Sequence, residues 1–483
     1  MAWRLLLLLL SACVVRLWLM PLPSSFWTDE TATAFVVRLP GDASLKAAPQ
    51  VPASVYYVLP RAAERLLGFS EISYRIPSVL LMGIALLLVG RLAARLIAPG
   101  AAWFAVAFCF ALTDLNYYAA DARPYPLGIC VAAACLLFLV KWLDTARWAY
   151  ALLFLIFAAL LWRVHLVFWT FYPIFPIYTV VRVLRGSTRV GWLRAVLVYA
   201  ALAAALIPVA IEALGLLKTA QAHVITPVPG LRRLAMFLEW QPVAYCLGTV
   251  VLAGLALKWP RNRTIPFESS VLIALWWLSM PLCVWTYSVL SGNSLFVARY
   301  FSLALPGVAL AATGMAALWL PRERWTTGAA IVAAIALVSG GHWGRMWPHH
   351  SRDNWKDGAR TERALAGGTD IPVIAVSPFV EAQPPVWKPG YLLPGFLYAP
   401  LFSYRLTGTV YPFPMLVSDE GQQYGAKLLR ETIVPHRRFV VFGSGRFPMD
   451  WVVWFAGRPE LTGWSYQVHR NDGIETIVFE RPG

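Results

Sequence analysis

The chain has 483 residues, of which 59% are hydrophobic and 14% charged, and its mean hydropathy is +0.60. These values exclude an ordinary soluble domain and call for a polytopic membrane protein. The net charge of +16 does not point to nucleic acid, because many of the bases sit in short loops between apolar runs, as in a positive-inside membrane protein.

The first apolar run, residues 3–22, ends at Pro21 and Pro23. It is longer than a secretory h-region and no small-residue cleavage site precedes Pro21, so it reads as an uncleaved first helix. Ten further runs are long enough to be spans or parts of spans: 75–97, 100–113, 124–141, 148–162, 165–182, 192–212, 241–257, 270–290, 299–320 and 327–346. With the N-terminus inside, every inner loop is basic. They carry Arg91 and Arg95; Lys141 and Arg147; Arg182, Arg185, Arg189 and Arg194; Lys258, Arg261 and Arg263; and Arg322 and Arg324. Asp29, Glu30, Asp114, Asp121 and Glu239 fall outside, as do the bases Lys218, Arg232 and Arg233. An odd helix count places the tail outside. The expected fold is therefore an all-α polytopic membrane bundle of about eleven transmembrane helices over residues 1–346, followed by a soluble α/β domain outside the membrane over residues 347–483. In that tail, 371–377, 438–442 and 475–480 read as strands and 354–366 as a helix. The six cysteines all lie in apolar segments and read as small core residues, with no disulfide framework.

The chemistry-bearing residues cluster in the outer segments. The first outer loop, residues 23–74, is too long for a simple connector. It contains TDETATAF (28–35), whose adjacent carboxylates Asp29 and Glu30 stand at a lipid–water boundary, where unused charge is costly. It also contains VYYVLPRAAERLLGF (55–69). Here Arg61, Glu64 and Arg65 share one face and Val58, Leu59, Ala62, Leu66 and Leu67 another, which suits a helix lying in the interface plane or covering the bundle top. The second outer loop reads DLNYYAADARPYPLG (114–128). Asp121 and Arg123 there form either a local ion pair or a site in which Arg123 holds a phosphate, the guanidinium fork suiting that group. Arg299 and Tyr300 open a later helix, and Arg299 either snorkels or binds an anion. His165 sits at an outer turn. His349 and His350 are too few for a metal site by themselves.

Taken together, these stretches resemble the bacterial C-type membrane glycosyltransferases, in particular the protein O-mannosyltransferases and aminoarabinose transferases (glycosyltransferase family 39-like). TDETATAF resembles the family's Asp-Glu pair, and SEISYRIPSVLLMGIALLLVGRLA the start of its second helix. YAADARPYPLG resembles its acidic-x-Arg-x-Tyr loop, with Asp121 where Glu is common. WRVHLVFW, FVARYFSLALPGVAL and RDNWKDGARTERAL resemble further family segments. Two departures stand out. QVPASVYY lacks the histidine of a common His-Pro-Pro, with Gln50 and Pro52 in its place, and Asn354 replaces an Asp that commonly precedes the tryptophan.

The resemblance implies a sugar donor on a polyprenyl monophosphate, presented on the outer face of the bacterial cytoplasmic membrane. It also implies an inverting transfer to a hydroxyl acceptor, which needs a general base. Asp29 is the first choice for that base and Glu30 the second, with Asp121 assisting. Arg123 and Arg299, with Tyr125 and Tyr300 as neutral donors, would stabilise the departing lipid phosphate. His165, Tyr56 and Tyr57 are possible substrate contacts. The scheme demands no metal or other cofactor, although members of the broader fold that use pyrophosphate donors employ one. The acceptor stays open among protein, lipid A and glycan. The competing readings are an oligosaccharide ligase with a pyrophosphate-linked donor, a lipid-carrier transporter and a non-catalytic scaffold. A transporter would want broken helices at the midplane and related halves, and no internal repeat is visible.

Overall fold

The computed structural model describes residues 2–49, 51, 53–217, 226–260, 265–367 and 369–482. The bases Lys218, Arg261 and Arg263 and the departure at Gln50 and Pro52 lie outside the described residues. The chain forms two compact units. One comprises Met1–Leu22, Ser54–Tyr56 and Arg75–Pro348; the other comprises Pro23–Ala53, Tyr57–Tyr74 and His349–Gly483.

The first unit is helical, and each of the eleven expected runs contains a helix. Seven are long and apolar enough to cross a membrane: Ala2–Leu19, Glu71–Leu96, Tyr125–Thr145, Leu166–Leu184, Trp192–Gly215, Phe267–Ser291 and Ala298–Ala317. Leu231–Phe237 and Trp240–Ala256 make an eighth span only as a pair bent by 58°. Ala101–Ala111 and Trp148–Val164 are shorter apolar helices, and Trp325–Gly340 has 16 residues. The run expected over 100–113 stops at Ala111, because Leu112 is extended and the chain restarts as the short helix Thr113–Ala119. Leu8, Leu80, Leu193, Leu252 and Val338 are each more than 60% exposed, as a lipid surround requires. Close helix packing depends on a small residue at Gly307, where a Cβ would sit 2.6 Å from the Trp277 backbone nitrogen.

Charges are satisfied in groups at the ends of these helices. Asp144 accepts from Arg95 at 2.6 Å and from Arg182 at 2.7 Å, and Arg185 pairs with Glu268 at 3.5 Å. Residues from four of the loops expected inside thus meet. Arg16, buried at the end of the first helix, donates to the carbonyls of Gly341 (2.7 Å), Met346 (2.6 Å), Arg345 (2.6 Å) and His342 (3.2 Å). A guanidinium has enough donors to satisfy the open carbonyls after the last helix, which apolar surroundings would otherwise leave costly.

The second unit is built on a five-stranded sheet of order β2-β1-β3-β5-β4, with β1 Pro372–Val376, β2 Thr409–Phe413, β3 Arg438–Ser444, β4 Ser465–Asn471 and β5 Ile474–Glu480. β1 runs parallel to β2 and β3, and β5 is antiparallel to β3 and β4. The three expected strands are present, and β2 and β4 are additional. The expected helix is Trp355–Ala366, capped by the Asn354 side chain accepting from the Asp357 backbone N–H at 3.2 Å. That helix buries Trp355, Gly358, Glu362 and Ala366, and Trp355 packs on Phe442 of β3 at 5.8 Å.

The first outer loop, grouped by sequence with the membrane part, divides between the units, and most of it packs with the tail. Its helix Thr28–Arg38 sets Phe35 against Phe396 and Phe402 at 6.0 and 5.6 Å, and Ser44 Oγ accepts from the Phe396 backbone N–H at 2.8 Å. Aromatic side chains on both stretches supply the apolar area that a loop alone lacks.

Candidate active site

In the second unit, the acidic pair opens helix Thr28–Arg38, with Asp29 and Glu30 in its first turn, where the helix dipole favours negative charge. The two carboxylates differ in setting. Glu30 is fully buried and Asp29 half-buried. Glu30 Oε2 accepts from the Trp27 backbone N–H at 3.2 Å, closing the helix start. His350 Nε2 lies 4.0 Å from Glu30 Oε1, with both side chains buried. Asp353 Oδ2 accepts from Thr28 Oγ1 at 2.9 Å. Burial raises the Asp353 carboxyl above its ordinary 3.8; the Thr28 hydrogen bonds oppose this and Asp29 adds to it.

The same unit ties the approach to this helix in a short chain of hydrogen bonds. The Phe26 backbone N–H donates to Tyr404 Oη at 2.8 Å, and Tyr404 donates to Glu71 Oε1 at 2.9 Å. Lys356 Nζ donates to the same oxygen at 3.2 Å, while its backbone N–H reaches Ser25 Oγ at 3.2 Å. Tyr57 is the buried N-terminal cap residue of helix Val58–Leu67.

In the first unit, Asp121 and Tyr125 are fully buried, and Arg123, His165, Arg299 and Tyr300 are half-buried. Ser78 Oγ donates to the Asp121 backbone carbonyl at 2.6 Å. The rings of Tyr118 and Tyr125 are 5.1 Å apart, Tyr125 and His165 6.0 Å, and His165 and Tyr300 5.4 Å. The Arg299 guanidinium lies 5.8 Å from the Tyr300 ring centre. Burial pushes the Tyr118 phenol well above 10.0; Asp114, Tyr125 and Asp121 push it the same way, and Arg299 opposes them. Asp121 and Arg299, 178 residues apart in sequence, therefore act on one phenol. Tyr56 belongs here too: its backbone N–H donates to Ser54 Oγ at 3.2 Å, and Ser54 donates to the Val164 carbonyl, next to His165, at 2.5 Å.

Each unit holds one cluster. Asp29 and Glu30 stand with His350 and Asp353; Asp121, Arg299 and Tyr125 act on Tyr118, and His165 and Tyr300 continue the row of rings from Tyr125. Sequence reasoning passed over Asp353 and Tyr404 and gave His350 no role. Asp353 stood inside the segment RDNWKDGARTERAL, where Asn354 drew the attention, and His350 was visible as half of a His-His pair; Tyr404 had no neighbouring motif to mark it.

No protein-family model matches the chain, and no curated protein matches it in sequence. Solved structures do match. ArnT from Cupriavidus metallidurans in the apo state superposes with a TM-score of 0.53 at 13% identity, covering 98% of this chain and 97% of that one. ArnT of the same organism bound to undecaprenyl phosphate gives 0.56 at 11% identity, with the same coverage. The chain has the ArnT fold. The match runs over nearly the whole length of both proteins, so the ArnT-like architecture includes the sheet-bearing tail as well as the membrane helices. This is the C-type membrane glycosyltransferase fold that the motifs imply.

Proposed function

We propose that the chain is an inverting glycosyltransferase that moves a sugar from a polyprenyl-monophosphate donor to a hydroxyl acceptor on the outer face of the cytoplasmic membrane. The observation that carries this reading is an ArnT fold, known with undecaprenyl phosphate bound in one relative, combined with a paired carboxylate at the head of its first loop helix. The acceptor oxygen attacks the anomeric carbon and its proton passes to Asp29. The bond from that carbon to the phosphate oxygen breaks, and polyprenyl phosphate leaves with the electron pair. Asp29 is preferred over Glu30 as base because Glu30 Oε2 holds the Trp27 N–H and is fully buried, whereas a base must reach the incoming hydroxyl. Arg123 and Arg299 take up charge on the departing phosphate, and Tyr125 and Tyr300 donate hydrogen bonds to it. Asp121 steadies these cations. His165, Tyr56 and Tyr57 contact substrate.

The test uses full-length protein in nanodiscs with synthetic polyprenyl-phosphate sugars of mannose, glucose, galactose and arabinose type. Release of free polyprenyl phosphate is expected from at least one donor, and Asp29→Asn should lower it about 10²- to 10⁴-fold, the usual span for a general base. Equal release by the variant, or none from any donor with a membrane extract as acceptor source, would overturn the assignment. The leaving phosphate needs no Lewis acid in this scheme. Turnover is therefore expected to survive exhaustive chelation, and a loss restored by one divalent ion would direct attention to Glu30 and His350.

A further inference from the structure

Helix Trp355–Ala366 has a second face. Lys356, Arg360 and Arg363 are spaced four and three residues apart, which stacks them on one side of the helix. The opposite side, with Trp355, Gly358 and Glu362, is buried. The basic face lines a pocket of about 340 Å³ together with Arg405, Ser403, Tyr404, Phe26, Phe69 and Glu71, a volume in the range of small-ligand sites. Two of its four cations are already paired, Lys356 with Glu71 at 3.2 Å and Arg360 with Asp357 at 2.8 Å. Among the described residues no carboxylate pairs with Arg363 or Arg405, and both are exposed. The pocket therefore carries surplus positive charge in the form of two guanidinium forks.

Its rim is apolar. Phe69 is 38% exposed and continues into Leu67, Leu66 and Val58, which are 59%, 82% and 64% exposed. On the same helix, Val58–Leu67, Glu64 is held by Arg38 at 3.3 Å and by the Tyr74 hydroxyl. The helix thus exposes its leucines beside the exposed Arg65 while Glu64 is held by partners, the mixture of bare apolar and basic side chains of a helix bedded in a bilayer interface.

We propose that this pocket binds the headgroup phosphate of an anionic glycerophospholipid, with Leu66, Leu67 and Phe69 lying against its acyl chains. A phosphate attached directly to hydrocarbon is the chemistry that matches cations and bare leucines side by side. The site belongs to the tail-bearing unit and is distinct from both clusters described above. Its role is to hold this unit's loop helix at the lipid surface, whatever reaction the protein catalyses.

The test needs no turnover. Full-length protein is placed in nanodiscs of phosphatidylcholine alone or with one third phosphatidylglycerol, and phenylglyoxal modification of each arginine is followed by peptide mass spectrometry. Phosphatidylglycerol should slow modification of Arg363 and Arg405 about fivefold or more while leaving the exposed Arg430 unchanged. The double variant Leu66→Gln, Leu67→Gln, altered only at exposed positions, should lose most of that protection with its unfolding temperature preserved. Equal rates in the two kinds of disc would overturn the proposal. So would protection by soluble glycerol 3-phosphate in phosphatidylcholine discs that matches the lipid's, since the site would then be one for a free phosphate.

Discussion

Asp29 and Glu30 are neighbours in sequence with different surroundings, and that difference is why the proposal takes Asp29 as the base. Glu30 closes the start of its helix and lies beside His350; Asp29 keeps partial exposure. Asp353 adds a pH dependence. Its carboxyl is raised in the folded protein, chiefly by burial, so the folded state binds its proton more tightly than the unfolded chain does. The cost of ionising it is absent below its ordinary 3.8, grows as pH rises to the folded value and is constant above that. Asp353→Asn keeps an oxygen for Thr28 and removes this cost. The melting temperature of the variant relative to wild type is therefore expected to rise between about pH 4 and pH 7, and a difference independent of pH would sink the argument. Both acidic residues of TDETATAF could be read from sequence, because adjacent carboxylates beside an apolar run are conspicuous. Asp353 could not, because its significance is the hydroxyl of Thr28, 325 residues away.

At the scale of elements, the helix Trp355–Ala366 joins the sheet to the basic pocket, and its seat is tight. A Cβ on Gly358 would stand 2.5 Å from Ile474 Cγ2 and 3.3 Å from Phe442 Cε2. Gly358→Ala is expected to cost about 1–3 kcal/mol through overpacking, read as a lowered denaturation midpoint. Gly358→Val should prevent this unit from folding, seen as rapid proteolysis after residue 348. The helix itself was legible from its asparagine cap and amphipathic spacing. Of the two strands not expected from sequence, β4 had a signal in RNDGI: Asp472 and Gly473 both take positive φ, 40° and 81°, and Asn471 faces Ile474 across a two-residue hairpin turn. β2 had none, because Thr409–Phe413 ends in a proline and phenylalanine and sits at the sheet edge.

For the whole molecule, the division of the chain matters more than the number of spans. Most of the first outer loop shares a unit with the tail, and Phe35 takes its aromatic partners from Phe396 and Phe402. Removing residues 349–483 would strip these contacts, together with the Tyr404 bond to Phe26. The truncated protein should still insert in the membrane, yet lose activity and become cleavable within residues 23–53 by limited proteolysis. Retained protection of that loop would show that it folds without the tail.

Sequence alone determined the membrane character, the positions of the helical runs, the basic and acidic ends of the loops and the fold class. The C-type fold came from the resemblance of the motifs; the rest follows from local composition and periodicity, which the bilayer makes unusually strict by forbidding unsatisfied backbone in hydrocarbon. Tertiary structure decided what stands beside what. It folded most of the long outer loop together with the tail, set His350 and Asp353 beside the acidic pair, and gathered Asp121, Arg299 and Tyr125 around the Tyr118 phenol. Those pairings depend on packing between segments hundreds of residues apart, and no window of sequence carries that information.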